Sequence, residues 1–223
     1  MKRSEVNRLI ANAIDLLHRH QIALPPFAYW SCADWENKGR ECDEIRRCNL
    51  GWDITDFGSG DFARVGLVVF TVRNGHHKVV PYTGKPYAEK ILIVRENQRT
   101  PMHHHVLKSE DIVCRSGGNL LIKVYNSAAD GGLADTDVEV SLDGVRHCVK
   151  AGHTFRLQPG ESIALTPFLY HEFWTEQGTG TSIVGEVSSV NDDETDNAFL
   201  SKVGRFPQIV EDAPANYKLC TEY

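Results

Sequence analysis

A succession of short apolar segments from Gly66 onward constrains the fold of this chain most strongly. Residues 138–142 alternate cleanly between apolar and polar side chains and lead into Asp143-Gly144, a dipeptide typical of two-residue hairpin turns. Asn74-Gly75 predicts a second tight turn. The same patterns predict strands over residues 67–72, 89–95, 120–125, 145–149, 154–157, 162–165, 171–175 and 182–187. Many short strands with regular turns indicate a mainly β sandwich or barrel, and they argue against a parallel βαβ sheet.

The N-terminal part of the chain has a different pattern. Apolar residues recur at helical spacing over residues 6–17, with Ser4 as the expected N-cap. We expect this helix to pack over an outer face of the β domain or against a dimer partner. Periodicity is weak over residues 27–62, which favours ordered loop and short helix. We therefore predict one domain over residues 1–223, with an arm (1–62), a β-barrel core (63–190) and a C-terminal extension (191–223).

Charge and cysteine content narrow the possible partners. The 223 residues carry a net charge of -6 and contain no basic run, so we expect no nucleic-acid partner. No apolar run is long enough to cross a membrane, and no apolar signal segment follows the N-terminus. The six cysteines form no Cys-x-x-Cys pair, as is typical of reduced, structural thiols. We expect a cytoplasmic protein without a membrane partner.

Three consecutive histidines followed by a glutamate are the strongest functional signal. Side chains in a strand point alternately to opposite faces, so His103 and His105 share one face and His104 points away. Two imidazoles together with Glu110 suit a divalent transition metal with room left for a substrate. A separate strand segment supplies a further imidazole, His171. We expect surface or turn roles for His104 and for His76, His77, His147 and His153.

Two motifs resemble the cupin family. The block His103-x-His105-(x)4-Glu110-(x)6-Gly117 is similar to the first cupin motif, and Pro159-Gly160 followed by Pro167 and His171 is similar to the second. The resemblance implies a jelly-roll β-barrel, and it implies His103, His105, Glu110 and His171 as metal ligands. Three imidazoles and one carboxylate suit Mn²⁺, Fe²⁺, Co²⁺, Ni²⁺ or Zn²⁺.

A more specific resemblance covers nearly the whole chain. The sequence is similar to bacterial D-lyxose isomerases in its N-terminal helix, Tyr29-Trp30, the Pro101-x-His103-x-His105 block, Glu110-Asp111-Ile112 and the ending Gly204-Arg205-Phe206-Pro207 with Glu211-Asp212. This resemblance implies a ketol-isomerase that uses manganese or a similar metal. It also implies interconversion of D-lyxose with D-xylulose and, in many members, of D-mannose with D-fructose.

Such a reaction needs a base that moves a proton between neighbouring carbons of a cis-enediol. Glu186 is the first candidate, because an ionisable side chain within an apolar strand is rarely buried without a partner or a function. The alternative is a glutamate on the solvent-facing side of the strand. Lys108 is two residues before Glu110, so in a strand its side chain would share the face of Glu110 and could line the same cavity. Lys90 binds a sugar oxygen if it points inward and is an edge-strand lysine if it points outward. Asp196 and Arg205 are candidates for binding distal sugar hydroxyls.

Two other functions fit the same ligands. A cupin dioxygenase would hold Fe²⁺ with them, and a non-enzymatic sugar-binding cupin would only retain them. A sensor should carry a DNA-binding module, and the sequence contains no helix-turn-helix or basic patch. The prediction is therefore a metal-dependent sugar isomerase, with a small sugar as partner and a homodimer as the expected assembly.

Overall fold

The computed structural model describes residues 1–76 and 84–223. The helices of this part are α1 (Arg3–Arg19), α2 (Cys32–Glu36) and α3 (Asp43–Arg47), with 3-10 turns at Pro26–Tyr29 and Arg40–Cys42. The strands are β1 (Gly51–Thr55), β2 (Leu67–Arg73), β3 (Tyr87–Val94), β4 (His103–His105), β5 (Glu110–Gly117), β6 (Leu120–Ser127), β7 (Leu133–Ala134), β8 (Val138–Leu142), β9 (Val145–Val149), β10 (Thr154–Leu157), β11 (Ser162–Leu165), β12 (Leu169–Thr175), β13 (Ser182–Ser189) and β14 (Asn197–Phe199).

These strands form two antiparallel sheets. The larger sheet has the order β1-β2-β3-β13-β5-β11-β8-β9, and the smaller has the order β10-β6-β12-β4-β14, with β7 beside β6. One apolar core contains inward side chains of both sheets, for example Val69 and Leu92 of the larger sheet and Ile122 and Phe173 of the smaller. The predicted mainly β, cupin-like barrel is confirmed.

Helix α1 covers the outer face of the larger sheet, which is one of the two positions expected for it. Its apolar residues, including Leu9 and Ile10, share a second core with Phe70, Ile93 and Ile183. Alternate residues of β2 therefore face opposite cores, and this explains the continuous burial of Leu67–Thr71. Within the described part of the chain, no helix is long and apolar enough to cross a membrane.

Several local predictions need correction. Asp143-Gly144 does form the predicted tight turn between β8 and β9, with φ angles of 49° and 85°. The prediction at Asn74-Gly75 was wrong, because β2 ends at Arg73 and β3 begins at Tyr87, so the connection covers residues 74–86. The predicted turn histidine His77 belongs to residues 77–83, which lie outside the described part.

Segments outside the predicted core also join the sheets. Strand β1 lies within the stretch predicted as loop and helix and pairs with β2, and β14 lies in the C-terminal extension and pairs with β4. Ser4 is not the N-cap of α1: Lys2 has that position, and the Ser4 side chain and N–H both donate to Asp212. The C-terminal segment thus satisfies donors at the start of the N-terminal helix.

Candidate active site

Three histidines meet where β4 pairs with β12. His171 lies opposite His103 in the antiparallel register, and their ring centroids are 4.2 Å apart. His105 follows on the same face of β4, as strand parity predicts. One ring nitrogen from each of the three histidines lies within 4.8 Å of the others, so the group could hold a metal ion.

Backbone carbonyls orient two of these rings. Nδ1 of His103 is 2.8 Å from the carbonyl oxygen of Pro101, and Nδ1 of His171 is 3.0 Å from that of Leu169. A carbonyl oxygen only accepts, so each Nδ1 is assigned as the donor, and a neutral ring keeps its lone pair on Nε2. Burial, with the neighbouring rings, holds the pKa of His103 well below its ordinary value and favours this neutral form.

Glu110 lies beside two of the histidines. Its Oε1 is 3.1 Å from Nε2 of His171 and 3.3 Å from Nε2 of His105. Within the described residues, Nε2 of His171 is buried without a hydrogen-bond partner despite this proximity. Ligands at right angles around one ion, each about 2.1 Å away, are about 3.0 Å from one another. The spacing and the unpartnered nitrogen therefore fit a shared cation.

His104 does not have the surface role predicted for it. It is buried on the opposite face of β4. Its ring is perpendicular to that of Tyr170, with the ring centroids 4.6 Å apart, and its centroid is 5.4 Å from that of the Phe168 ring. Strand alternation correctly predicted that the His104 side chain points away from His103 and His105. The prediction failed because the outer face of this short strand is covered by aromatic side chains from the start of β12 and the turn before it.

Two lysines and two glutamates form a buried group beside the histidines. Nζ of Lys108 is 2.7 Å from Oε2 of Glu110 and 2.7 Å from Oε1 of Glu186. Nζ of Lys90 is 3.4 Å from the same Glu186 oxygen and donates to Oδ1 of Asn191 at 2.6 Å. Lys90 and Glu186 are opposite each other on β3 and β13, and both line the cavity inside the barrel. The outward alternatives for these two residues are therefore excluded.

The charges in this group determine which forms are present. Burial alone would raise the pKa of Glu110 and of Glu186, but the ammonium of Lys108 together with the other neighbouring donors outweighs burial and lowers both pKa values. Lys90 contributes to the effect on Glu186. Burial would likewise lower the pKa of Lys108, and the two carboxylates raise it instead. Both glutamates are thus ionised and Lys108 is protonated at neutral pH.

A second charged group lies across the cavity. Nη2 of Arg205 donates to Asp53 at 2.6 Å and to Asp193 at 3.1 Å, while Nη1 is buried without a partner in the described residues. Burial would raise the pKa of Asp193, but Arg205 and Lys90 hold it well below its usual range. Sequence reasoning missed Asp193, because an acidic run in a loop gives no sign that one of its members points inward.

Asp196 has a different position from the one expected. Its carboxylate accepts the backbone N–H groups of Val106, Leu107 and Lys108, at 3.1, 2.7 and 3.1 Å. It does not line the cavity, and its hydrogen bonds fix the turn between β4 and β5. We therefore assign Asp196 to this turn and not to a sugar hydroxyl. Its carboxylate supports the site through this turn, which carries Lys108, and its Oδ2 lies 4.0 Å from Nδ1 of His105.

One cavity connects these groups. It encloses about 510 Å³ of space not occupied by protein atoms, including its open mouth, and eight of the nine predicted site residues line it, all except Asp196. Apolar side chains such as Leu92 and Phe173 form the rest of the wall. Phe199 lies against the ring of His103, with centroids 5.4 Å apart. The cavity therefore combines candidate metal ligands, an ionised carboxylate and N–H donors without a partner among the described residues. A site for a small polar substrate requires such groups.

Comparisons with known proteins identify the family and the fold. The sequence model of the D-lyxose isomerase family matches residues 1–223. The chain is 50% identical to the D-lyxose/D-mannose isomerase of Serratia proteamaculans and 48% identical to that of Escherichia coli O157:H7, in each case over 100% of this chain and 98% of the relative. The L-ribose isomerase of Cellulomonas parahominis has a similar structure, with a TM-score of 0.62 and 14% identity over 94% of this chain and 98% of that one. This last likeness shows the fold alone.

The barrel and its cavity, together with these relatives, define the class of protein: it is an enzyme, an aldose–ketose isomerase on a cupin-like fold. More specifically, the chain belongs to the D-lyxose isomerase family. The dioxygenase and the non-enzymatic sugar-binding protein, both compatible with the histidine motif alone, are set aside by this membership.

Proposed function

We propose that this enzyme interconverts D-lyxose with D-xylulose, and also D-mannose with D-fructose, in a metal-dependent reaction. The sugars are those of the relatives' names and of the family resemblance. The observation that carries the proposal is the position of Glu186, which is ionised and paired with Lys108. It lines the same cavity as the three histidines and Glu110. An isomerase needs these two components together, a cation site and a proton carrier.

In this proposal His103, His105, His171 and Glu110 hold a divalent ion, with Mn²⁺ as the expected metal and Co²⁺, Fe²⁺, Ni²⁺ or Zn²⁺ as alternatives. The ion supplies Lewis-acid stabilisation to neighbouring sugar oxygens when it is bound. The protein supports this donor set, because backbone carbonyls orient His103 and His171 and the ammonium of Lys108 holds the second oxygen of Glu110.

Glu186 is the proposed base. Within residues 1–76 and 84–223, all of its hydrogen bonds and ion pairs go to Oε1, from Lys108, Lys90 and the hydroxyl of Ser188. This leaves Oε2 for a proton of the substrate. Glu186 removes the proton from the carbon next to the sugar carbonyl and returns it to the carbonyl carbon through a cis-enediol, while the proton of the neighbouring hydroxyl passes to the former carbonyl oxygen. Lys108 has the catalytic role of keeping this carboxylate ionised and oriented.

Lys90 and Arg205 are the proposed sugar-binding cations. Lys90 makes one close hydrogen bond, to Asn191, and its distances to Glu186 and Asp193 are 3.4 and 3.9 Å. Arg205 has an unpartnered Nη1 among the described residues. Both cations line the cavity, so each has a donor left for a sugar hydroxyl. The expected homodimer and cytoplasmic location stay predictions; light scattering tests the first.

The experiment removes the metal with a chelator and restores it. We expect the metal-free protein to form no ketose from D-lyxose or D-mannose, and Mn²⁺ to restore both reactions. In D₂O, part of the ketose should carry deuterium at the carbon that receives the proton, C1. Absence of ketose with every one of the five candidate metals would overturn the proposal.

A matched pair of variants tests the base. Glu186→Gln should lower kcat by about 10²–10⁴-fold, because the amide cannot accept the proton, while the bound metal per chain stays unchanged. Glu172→Gln is the control: Glu172 follows His171 but pairs with Arg99 and Lys123 and does not line the cavity. It should keep the activity. Equal kcat values for the two variants would remove Glu186 from the mechanism.

A further inference from the structure

Asn191 connects the two lysines of the site without touching the cavity itself. It lies two residues after β13 and is buried. Its Oδ1 accepts from Nζ of Lys90 at 2.6 Å and from Nζ of Lys108 at 3.3 Å. The same two ammonium groups lie 3.4 and 2.7 Å from Oε1 of Glu186. The four groups therefore form a ring in which the cations alternate with oxygen acceptors.

Asn74 fixes the peptide of Asn191. Its Oδ1 accepts the N–H of Asn191 at 3.0 Å, and its Nδ2 donates to the carbonyl oxygen of Asn191 at 3.0 Å. Nδ2 also approaches the carbonyl oxygen of Cys48 at 3.4 Å. Asn74 follows β2 directly, so this reciprocal pair ties the end of β2 to the segment after β13. The position of the Asn191 side chain is thereby determined by two strands of the larger sheet.

The two lysines differ in how completely they are paired. Lys108 has three donors and three acceptors within 3.3 Å, namely Glu110, Glu186 and Asn191. Within the part of the chain that the structure describes, Lys90 has one close acceptor, Asn191. Removing the Asn191 carbonyl would leave Lys90 without its one close hydrogen bond and release one donor of Lys108. Lys90 would then be free to move relative to Glu186, and Lys108 would be held by its two carboxylate partners alone.

Asn191 also lines a second pocket. This smaller polar pocket is lined by Asn74, Asn191, Thr71 and Asp193, and Asp193 lines the main cavity as well. Truncating the Asn191 side chain would enlarge the pocket next to Lys90 and Lys108. Water could then occupy the position of the lost carbonyl beside the two ammonium groups.

We propose that Asn191 is a positioning residue of the isomerase: its side-chain carbonyl holds Lys90 and Lys108 against Glu186, and Asn74 keeps Asn191 in place. The proposal rests on the proposed role of Glu186 as the proton carrier. Neither asparagine touches the sugar, and both act through the lysines. A misplacement of the order of 1 Å at reacting groups lowers rates by about 10²-fold, which sets the scale of the expected effect.

The test compares Asn191→Ala, Asn74→Ala and the double variant, each loaded with Mn²⁺, on D-lyxose in D₂O. We expect kcat to fall by about 10–100-fold in both single variants, with bound metal unchanged. The double variant should be within about 2-fold of Asn191→Ala, because Asn74 acts through Asn191. The fraction of ketose that carries solvent deuterium should rise in Asn191→Ala. This fraction does not depend on how much protein is folded, so a purely structural role would leave it unchanged.

Asn7 offers a matched control. It is also buried, and its amide also bonds a backbone carbonyl and a backbone N–H, those of Pro214 and Asn216, at 2.8 and 2.9 Å. Asn7→Ala should lower the Tm as Asn74→Ala does but keep kcat and the deuterium fraction. If Asn191→Ser, a milder truncation, and Asn191→Ala both kept the wild-type kcat and deuterium fraction, the proposal would be overturned. If Asn74→Ala matched Asn7→Ala in kcat, the part assigned to Asn74 would be wrong. Failure of the wild type to form ketose would instead overturn the proposed function.

Discussion

Among the described residues, fully buried lysine and arginine side chains occur in two places, and their partners have different surroundings. In the barrel, the side chain of Lys108 is 3% exposed and its partners Glu110 and Glu186 are 2% and 7% exposed. At the chain ends, the side chain of Arg3 is 4% exposed, but its partners Glu211 and Glu222 are 60% and 27% exposed. The first group is enclosed in the cavity, and the second keeps its carboxylates in contact with water.

The difference separates charges used for chemistry from charges used for stability. Arg3 forms a bidentate pair with Glu211, at 2.9 and 2.7 Å, and a further pair with Glu222, so it joins α1 to the C-terminal segment. Four of the five guanidinium donors are used here, and none of these three residues lines the cavity. In the group around Lys108, one oxygen of Glu186 has no partner among the described residues, and Lys90 has one close acceptor there. Enclosed charges with unused hydrogen-bonding capacity are typical of a functional site, and solvated, mostly paired charges are typical of a structural link.

The largest expected effect follows from removing the cation in the cavity. Lys108→Met should lower kcat by at least about 10²-fold, because Glu186 loses its orientation. It should also destabilise the fold by about 3–5 kcal/mol, since two buried carboxylates lose their shared partner. Steady-state kinetics with D-lyxose and a urea titration measure the two effects. A wild-type kcat in Lys108→Met would contradict the claim that the charges around Lys108 serve catalysis and those around Arg3 serve stability.

Removing the cation at the chain ends should lower stability without lowering activity. Arg3→Met should lower the Tm by about 3–10 °C through the loss of charge-assisted hydrogen bonds, and it should leave kcat and KM unchanged below the transition. Calorimetry and kinetics at 25 °C check this. A fall in kcat comparable to that of Lys108→Met would show that the two groups are linked.

The smallest effect concerns pH. The hydrogen bond from Arg3 lowers the pKa of Glu211 below its unfolded value of about 4.3, so the carboxylate contributes stability above that pH and the contribution is lost as pH falls through the folded pKa. The Tm difference between the wild type and Arg3→Met should therefore be constant above about pH 5 and shrink below about pH 4. A difference that grew in acid would contradict the assignment.

The sequence predicted those parts of the fold and site that depend on local pattern. Strand parity placed His103 and His105 together and His104 opposite, and alternation found the β8–β9 hairpin with its Asp143-Gly144 turn. Residue types singled out Glu110 and His171 as further candidates, and the family resemblance joined them with His103 and His105 into one ligand set. Both kinds of inference use features that a reader can see within one segment or one motif.

Apart from the Asn74-Gly75 turn, the failures involve contacts between distant segments. Nothing local shows that β1 joins the sheet or that aromatic residues bury His104. Asp196 and Asp193 occur in one acidic run, yet one binds backbone N–H groups and the other faces the cavity. Asn191 is an ordinary loop residue in sequence, and its pairing with Asn74 across 117 positions appears only in the folded chain.

The central claim is that His103, His105, His171 and Glu110 hold one metal ion in this cavity. Crystals of the Mn²⁺-loaded protein, measured for anomalous scattering at the manganese edge, test it directly. The account predicts one strong peak about 2.0–2.3 Å from Nε2 of His103, Nε2 of His171, a ring nitrogen of His105 and Oε1 of Glu110. A catalytically active protein whose only bound manganese lies elsewhere, or touches fewer than three of these residues, would contradict it.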